Sequence, residues 1–374
     1  MRVLFAFAGG SGHAEPLVPL AEAAGAAGHA VAFCGRRSAL DPLESRGFRV
    51  YGTEDESLRA ERRLPLEPLD LERERRQFRS GFAERIATGK AATVIELHAV
   101  WRPDVVVCDD TDFGSMVAAE RLGLPHVTVL VLAARSFATR ELVAQPLDAL
   151  RAQHGLAPDP RLEMLARDLV LAPFPPSYRD PAAPLPPNTQ AYRPQSARID
   201  ERAEPPLVYF TLGTVFTFEC GDLYERVLAA LAALPVEAVA TVGRRLDPDE
   251  LGPQPPHVRV ERYVPQAELL PRASVVVSHG GSGSVLGALA HGVPMVLLPL
   301  GADQPFNAER CAQLGVARVL DPVTAGPDEI GAAISAVLAE PAYAVAAARL
   351  RDEFAALPGP DHAVALVKAL VRSS

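Results

Sequence analysis

The most constraining feature of this chain is a glycine-rich turn between a buried strand and a helix in its C-terminal half. The apolar run from Val275 to Val277 predicts a buried parallel strand. It leads through Ser278 and His279 into a glycine turn, and a helix is predicted from about Ser284. Glycines let the backbone approach a ligand closely, and unpaired N–H groups at a helix start attract negative charge. The pattern therefore predicts a cradle for an anionic group such as a diphosphate.

Polar side chains follow the next apolar run. Met295 to Leu298 ends in a loop that carries Asp303, Gln304 and Asn307. Carboxylates accept hydrogen bonds and side-chain amides both donate and accept them, so these groups suit the hydroxyls of a sugar. Asn307 also fits a simpler role as the cap of the next helix. The sequence thus predicts a sugar site directly after a phosphate site.

Strands and helices alternate in both halves of the chain, which predicts an α/β fold with parallel sheets covered on both faces. A helix is predicted from Pro16 to Ala27, with Gly28 near its C-terminal end. Because single cores rarely grow past about 250–300 residues, the length of 374 residues predicts two domains. The predicted strands are Val3 to Ala8, Ala30 to Cys34, Val105 to Cys108, Val127 to Val131, Leu207 to Thr211, Val236 to Thr241, Val258 to Glu261 and Val275 to Val277.

A proline-rich stretch lies between the two alternating series. Ten prolines occur from Pro173 to Pro206. This composition is typical of a stiff, extended linker, so we expect the domain boundary inside it. Upstream, the stretch from Arg59 to Arg85 is rich in Arg and Glu, which is typical of a solvated helical face.

Composition excludes several classes of function. The net charge of −9 disfavours a nucleic-acid partner, whose phosphates would be repelled. No apolar run approaches the roughly 18 residues of a membrane-spanning helix, and the short N-terminal run is better interpreted as a first strand than as a signal sequence. We therefore expect a cytoplasmic protein without stable membrane association, and a homodimer is compatible with the sequence. The widely spaced cysteines predict free thiols, without a zinc site or disulfide framework; they are Cys34, Cys108, Cys220 and Cys311.

A histidine follows the first predicted strand of the chain. His13 comes after the glycines Gly9 and Gly10, just before the helix that Pro16 can start. Open α/β sheets bind ligands at the carboxyl ends of their strands, so His13 is aimed at such a crevice. Histidine suits proton abstraction near neutral pH, whereas the simpler alternative is that His13 only packs or caps the turn.

Two neighbouring carboxylates are candidates to orient this histidine. Asp109 and Asp110 follow the buried strand from Val105 to Cys108 and should reach the same crevice. A histidine base works better when a carboxylate holds its other ring nitrogen. We favour Asp109 and keep Asp110 as the alternative, because a shift of one residue is not resolved by the sequence.

The ordered set of motifs in the C-terminal half resembles one enzyme family. YVPQ from Tyr263, SHGGSGS from Ser278, GVP from Gly292, ADQ from Ala302 and then Asn307 are similar to the nucleotide-sugar-dependent glycosyltransferases of the GT-B fold. The resemblance is greatest to the branch that glycosylates antibiotics and other natural products. It implies two Rossmann-like doubly wound domains that face each other across a cleft.

The resemblance also implies that the two domains bind different substrates. Residues 1–195 would bind the acceptor, and residues 205–374 would bind the nucleotide sugar. The last helix, about 361–371, would pack back on the N-terminal domain. The stretch from Arg59 to Arg85 would form a mobile wall of the acceptor site, and Phe113 and Phe137 are apolar candidates to contact the acceptor.

By the same resemblance, His13 is the catalytic base, and an aspartate at the Asp109 position orients it. Tyr263 would stack on the base of the nucleotide, because an aromatic ring offers a flat face. The diphosphate would be held by imidazole, N–H and hydroxyl groups that stabilise charge on the leaving group. The predicted donor-binding residues are Thr214, Tyr263, Val264, Gln266, His279, Gly280, Gly281, Ser282, Gly283, Ser284, Asp303 and Gln304.

The resemblance predicts no cofactor and no metal ion. Asp110, Thr111 and Asp112 match the DxD pattern of metal-dependent glycosyltransferases, but any acidic loop produces this match. In the GT-B enzymes, protein dipoles stabilise the leaving diphosphate instead.

One position departs from the family pattern. Enzymes that use UDP-glucose often carry a glutamate for the ribose hydroxyls where this chain has Gly287. Loss of that acceptor costs little when the ribose lacks a 2′-hydroxyl, so the sequence favours a dTDP-sugar over a UDP-sugar.

We therefore expect an inverting hexosyltransferase that moves a sugar to a hydroxyl of a small hydrophobic natural product. A GT-B enzyme acting on a lipid or cell-wall precursor is the alternative within the fold. An NADP-dependent oxidoreductase is disfavoured because Glu15 stands where a dinucleotide loop needs its third glycine. A catalytically inactive accessory protein would be expected to lack His13 or His279, and both are present.

Overall fold

The computed structural model describes residues 1–53, 63–198, 200, 203–214 and 218–373. The chain forms two compact units. The first consists of Met1–Ser57, Leu71–Gln195 and Leu357–Ser374. The second consists of Leu58–Asp70 and Ser196–Ala356.

Parallel strands and helices alternate through both units. The strands are β1 (Arg2–Ala6), β2 (Ala30–Arg36), β3 (Arg49–Thr53), β4 (Val105–Asp109), β5 (His126–Val129), β6 (Leu169–Ala172), β7 (Thr189–Ala191), β8 (Leu207–Thr211), β9 (Glu237–Thr241), β10 (Val258–Glu261), β11 (Ala273–Ser278), β12 (Met295–Leu297) and β13 (Ala317–Val319). The helices are α1 (Ser11–Ala14), α2 (Val18–Ala26), α3 (Asp41–Ser45), α4 (Leu71–Phe78), α5 (Ala87–Trp101), α6 (Phe113–Leu122), α7 (Arg140–Gln153), α8 (Leu223–Ala232), α9 (Gln266–Leu269), α10 (Ser282–Ala290), α11 (Gln304–Gln313), α12 (Pro327–Ala339), α13 (Pro341–Ala356) and α14 (Pro360–Ser373).

The two sheets share one topology. The first unit has strand order β3-β2-β1-β4-β5-β6-β7, and the second has β10-β9-β8-β11-β12-β13. Every pairing is parallel. In each sheet the strand order reverses beside the first strand of the unit, which is where open α/β sheets bind ligands. The predicted doubly wound α/β architecture is therefore confirmed.

Register brings particular strand ends together at these reversal points. Ala6 of β1 pairs with Cys108 of β4, so Asp109 lies beside the loop after β1. In the second unit, Thr211 of β8 pairs with Ser278 of β11. Asp109 ends β4, and His13 and His279 come shortly after β1 and β11, so these residues lie at the two reversal points.

The central strands β4 and β8 are largely apolar and buried along their whole length, as expected for parallel strands covered on both faces. In the first unit Val3 and Phe5 of β1 pack in one core with Leu20 of α2 and with Val364 and Val367 of α14. The last helix of the chain thus belongs to the core of the first unit.

Much of the proline-rich stretch is ordered structure of the first unit. It contains β7 and a short 3₁₀ turn at Pro176–Tyr178, and β7 completes the edge of the sheet. The change to the second unit occurs between Gln195 and Ser196. The part of the stretch before this change is therefore more than a linker, because an edge strand tolerates prolines beside it.

Only part of the stretch from Arg59 to Arg85 is a helical face. Residues 59–62 lie outside the described part of the chain. Residues 63–70 have no helix and pack in the second unit, where the N–H of Leu64 donates to the carbonyl of Phe218 at 2.7 Å and the carbonyl of Leu64 accepts from Gly221 at 3.1 Å. Helical structure begins with α4 at Leu71 and continues through a π-helical segment, Arg79–Ile86, into α5.

Within the described part of the chain, no single helix has the length and apolar composition to span a membrane. Helices α12 and α13 meet the length and composition criteria only when they are taken together, and they are bent by 68° at their break.

Candidate functional site

In the first unit, His13 and Asp109 are brought into contact. Nδ1 of His13 lies 3.3 Å from Oδ1 of Asp109, and the His13 side chain is 17% exposed while that of Asp109 is fully buried. The imidazole lies so close to Gly9 that a methyl group at that position would be 2.1 Å from its Cδ2 atom. Glycine is therefore required at position 9 for His13 to take this orientation.

Asp109 is held ionised by a set of hydrogen-bond donors. Its Oδ2 accepts from the N–H of Ala8 at 2.7 Å, and its Oδ1 accepts from the N–H of Thr111 at 2.7 Å and its hydroxyl at 2.5 Å. Burial alone would raise the pKa of this carboxyl, but the charge of His13 and these hydrogen bonds hold the pKa below its ordinary value. The carboxylate can therefore stabilise a protonated His13.

Thr111 was missed by the sequence reasoning. Its Oγ1 lies 3.2 Å from Nδ1 of His13, so one hydroxyl contacts both members of the pair. The only sequence signal was its position two residues after Asp109, at the strand end. Such a hydroxyl restricts the imidazole at the same nitrogen that the carboxylate holds.

The alternative partner, Asp110, has a different role. Its Oδ1 accepts from the backbone N–H of Val131 at 3.0 Å, which ties the end of β4 to the segment after β5. Burial, together with the charge of Asp109, raises the pKa of Asp110 to about 6. The geometry therefore brings Asp109, rather than Asp110, to the histidine.

Asp112 caps helix α6. It accepts from the N–H of Ser115 at 3.1 Å and from its hydroxyl at 2.8 Å, and Nζ of Lys90 lies 3.9 Å away. Burial raises the pKa of Asp112, and the charge of Lys90 partly offsets this. The aspartates of the DxD pattern are thus engaged in local structure, and no group of three or more potential metal ligands was found among the described residues.

The two phenylalanines predicted to contact the acceptor lie in the core. Phe113 is 0% exposed and Phe137 is 5% exposed. Both pack against Phe78 at the end of α4, with ring centroids 6.2 and 5.7 Å away. In this structure the two rings expose almost no surface to a ligand, and their contact with an acceptor stays a prediction. The aromatic residue beside His13 is Phe82, at a centroid distance of 5.5 Å.

In the second unit, His279 is enclosed by glycines at the end of β11. Methyl groups at Gly213 and Gly281 would lie 2.7 and 2.6 Å from Nε2 of its ring. Burial lowers the pKa of His279 to about 4, an effect that the backbone of Thr211 partly offsets. Its Nδ1 is buried and makes no hydrogen bond of normal geometry within the described residues. The imidazole is therefore neutral at pH 7 and offers a hydrogen bond without a charge.

Helix α10 begins at Ser282, three residues after this histidine and two residues earlier than predicted. Gly281 is its N-cap residue and has no side chain to occupy the first N–H groups. These N–H groups and the partial positive charge of the helix start suit an anion. The predicted residues Gly280, Ser282, Gly283 and Ser284 all lie in or beside this first turn.

A hydrogen-bond network fixes the predicted sugar-binding residues. Oδ2 of Asp303 accepts from the Ser282 hydroxyl at 2.7 Å and from Nδ2 of Asn307 at 2.8 Å. Asn307 is fully buried and also donates to the carbonyl of Gly280 at 3.0 Å. Asn307 therefore holds the glycine turn after β11 and the Asp303 loop together, a role that the sequence did not distinguish from helix capping.

Gln304 is largely committed to the loop that it terminates. It is 2% exposed, and its Oε1 accepts from the N–H groups of Leu300 and Gly301 at 2.8 and 3.2 Å. Its amide oxygen is thus used inside the protein, which leaves only its amide nitrogen for the predicted ligand contact.

The remaining predicted donor residues lie at the carboxyl edge of the same sheet. Tyr263 is 60% exposed, and the guanidinium carbon of Arg244 lies 5.4 Å from its ring centroid. This cation–π contact, which the sequence reasoning missed, covers one face of the ring. Nε2 of Gln266 donates to the hydroxyl of Ser284 at 3.3 Å. Thr214 is exposed after β8, and Val264 is half-buried beside Tyr263.

Comparison with known proteins assigns this arrangement to a family. Residues 225–370 match the family described as erythromycin biosynthesis protein CIII-like, C-terminal domain. The chain is 30% identical to 4′-demethylrebeccamycin synthase of Lentzea aerocolonigenes over 426 aligned positions, which cover 99% of each chain. This chain belongs to the natural-product glycosyltransferases of the GT-B fold.

Further relatives agree with this membership. The chain is 30% identical to the L-demethylnoviosyl transferase of Streptomyces niveus, over 96% of each chain. The solved structure of the spinosyn rhamnosyltransferase SpnG complexed with thymidine diphosphate superposes with a TM-score of 0.79 at 26% identity, covering 99% of this chain and 100% of the other. The resemblance drawn from YVPQ and SHGGSGS is thereby confirmed, and the oxidoreductase alternative is set aside.

The raised pKa of Asp110 gives a prediction for stability. Its folded-state pKa of about 6 exceeds the ordinary value of 3.8, so the ionised carboxylate destabilises the folded state. This destabilisation grows as the pH rises from about 4 to about 6 and is complete above that range. Asp110→Asn keeps the acceptor for Val131 and removes the charge. We expect it to raise the free energy of unfolding at pH 7.5, by up to about 3 kcal/mol, and the gain to shrink at pH 5.

Urea unfolding at the two pH values measures this difference. Asp352→Asn is the matched control, because its carboxylate is 69% exposed and pairs with the adjacent Arg351. An Asp110→Asn gain that is equal at pH 5 and pH 7.5 would contradict the assignment of the effect to ionisation.

Proposed function

We propose that this glycosyltransferase moves a hexose from a dTDP-sugar to a hydroxyl of a small hydrophobic natural product, with inversion and without a metal ion. The observation that carries the proposal is the pair of His13 and Asp109, in which Nδ1 lies 3.3 Å from a buried carboxylate. With Nδ1 held there, Nε2 is the nitrogen that takes the proton of the acceptor hydroxyl.

The transfer is a single displacement. As the acceptor O–H gives its proton to His13, its oxygen bonds to the anomeric carbon, and the bond from that carbon to the diphosphate oxygen breaks. Attack from the face opposite the leaving group inverts the configuration. Asp109 stabilises the imidazolium that forms, since its pKa is held low and it remains ionised.

The leaving diphosphate gains negative charge, which the first turn of α10 is suited to receive. The backbone N–H groups after Gly281 and the N–H of the neutral His279 imidazole can donate hydrogen bonds to this charge. Asp303 and Gln304 would contact the sugar hydroxyls, and Tyr263 would stack on the base with the face that Arg244 leaves open.

The preference for dTDP rests on Gly287. The space at this position is also tight. A methyl group on Gly287 would lie 3.2 Å from Oε1 of Gln266 and 3.1 Å from Cδ1 of Leu270. The spinosyn relative that was solved with thymidine diphosphate supports the same donor class.

The first test replaces the base. His13→Ala should lower the transfer rate by about 10²–10⁴-fold while the Kd for dTDP changes less than about twofold, because the proton acceptor is lost and the nucleotide site is not. Product formation with a screened dTDP-sugar and acceptor panel, and calorimetric titration with dTDP, measure the two quantities. His362→Ala, an exposed histidine in α14 of the same unit, is the control. Full turnover by His13→Ala would refute the assignment of the base.

The second test addresses the diphosphate. His279→Ala should raise the Kd for dTDP about 5- to 20-fold through loss of one hydrogen bond. Because the His279 pKa is about 4, the imidazole is already neutral at pH 6.5, and the ratio of mutant to wild-type Kd should stay constant from pH 6.5 to pH 8. A ratio that falls steadily as pH rises would mean that a charged imidazole binds the nucleotide.

The third test addresses the choice of nucleotide. Gly287→Glu should raise the ratio of kcat/KM for UDP-glucose over dTDP-glucose, because the new carboxylate can accept from the 2′-hydroxyl of the uridine ribose. Gly287→Ala is the matched control, since it introduces the same crowding against Leu270 and Gln266 without the charge. Equal ratios in the two variants would remove Gly287 from the argument for dTDP.

A further inference from the structure

The imidazole of His13 is confined on more than one side. Asp109 and Thr111 contact its Nδ1 edge at 3.3 and 3.2 Å. Gly9 lies against Cδ2, where even a methyl group would not fit. The ring of Phe82 stacks on the imidazole, with centroids 5.5 Å apart and planes 26° apart. Edge contacts at one nitrogen leave the ring free to tilt, whereas a stacked ring opposes tilting.

Phe82 is itself anchored to the core. It stacks on Phe78 at a centroid distance of 5.2 Å and an interplanar angle of 30°. Phe78 is 6% exposed and packs edge-on against Phe113 and tilted against Phe137. Stacked aromatic rings at these distances attract one another beyond the area they bury. The chain of rings therefore links the imidazole to a rigid part of the first unit.

The backbone that carries Phe82 has an unusual geometry. Phe82 lies within the π-helical segment Arg79–Ile86, between α4 and α5. π-helical turns are rare in proteins and occur frequently at functional sites. The segment is fixed by Arg79, whose Nη1 donates to the carbonyl of Leu142 at 2.9 Å and whose Nε donates to Glu84 at 3.1 Å, and which also contacts Gln145. The wide turn and its ties to α7 define where Phe82 stands.

We propose that Phe82 is a positioning residue for His13. Its ring fixes the plane of the imidazole, and thereby the direction of Nε2 toward the acceptor hydroxyl. A proton transfer depends steeply on this geometry, since a misplacement of about 1 Å can cost about 10²-fold in rate. The inference rests on the proposed function, in which His13 is the base.

The experiment compares shape with aromatic character at position 82. Phe82→Leu removes the stacked ring and keeps an apolar side chain, whereas Phe82→Tyr keeps the ring. We expect Phe82→Leu to lower kcat about tenfold or more, while the KM values for donor and acceptor change less than about twofold. Phe82→Tyr should retain most of the wild-type kcat. Steady-state kinetics on the full chain measures these values, and thermal unfolding checks that the variants are folded.

Phe48→Leu is the matched control. Phe48 is half-buried like Phe82, belongs to the same unit, and makes an edge contact with Phe33 at 5.0 Å. It should lose stability without a fall in kcat. If Phe82→Leu does not fold, Phe82→Met, which keeps more of the volume, takes its place in the comparison.

Three results would overturn the inference. They are an unchanged kcat in Phe82→Leu, equal losses in the Leu and Tyr variants, and an increase in acceptor KM at constant kcat, which would make Phe82 a wall of the acceptor site. His13→Ala in the same assay separates the two levels of the argument. Full turnover by His13→Ala rejects the base itself, whereas its inactivity together with an unaffected Phe82→Leu rejects only the positioning role.

Discussion

The buried charge of Asp109 is the interaction on which the first unit's site depends. A carboxylate without exposed surface is stable only when its oxygens are paired. Here the N–H of Ala8, the N–H and hydroxyl of Thr111, and Nδ1 of His13 meet that requirement. Because Ala8 follows β1 and Asp109 ends β4, these contacts join the two loops at the reversal point of the sheet. The orientation of the histidine follows from them.

The second unit uses the same topology with opposite electrostatics. At its reversal point, His279 faces glycines rather than a carboxylate, and burial keeps it neutral at pH 7. A carboxylate at this place would repel a diphosphate, whereas a glycine turn exposes N–H groups to it. One sheet architecture thus holds a histidine against a buried carboxylate in the first unit and presents a glycine turn with a neutral histidine in the second. The difference lies in a few loop residues, as expected for a fold that hosts many functions.

Sequence predicted the parts of this protein that depend on local pattern. Strand β8 begins and ends where its apolar run does, because a strand covered on both faces reads as a continuous hydrophobic segment. His13 and Asp109 were found because they follow such strands. Phe82 was not found, because it lies in a stretch dominated by Arg and Glu and its contact with His13 joins residues that are far apart in the chain. The burial of Phe113 and the commitment of Gln304 to its own loop depend on tertiary packing, which no local pattern encodes.

The position of α14 has a consequence for how such enzymes recombine. This helix ends the chain, yet Val364 and Val367 complete the core of the first unit beside Leu20. A single crossover in the proline-rich stretch, which exchanges everything downstream with a relative, would also exchange one layer of that core. A compatible chimera needs a second junction near Leu357, so that each first unit keeps its own terminal helix. In this fold the modules that can be inherited separately are therefore not contiguous in the gene.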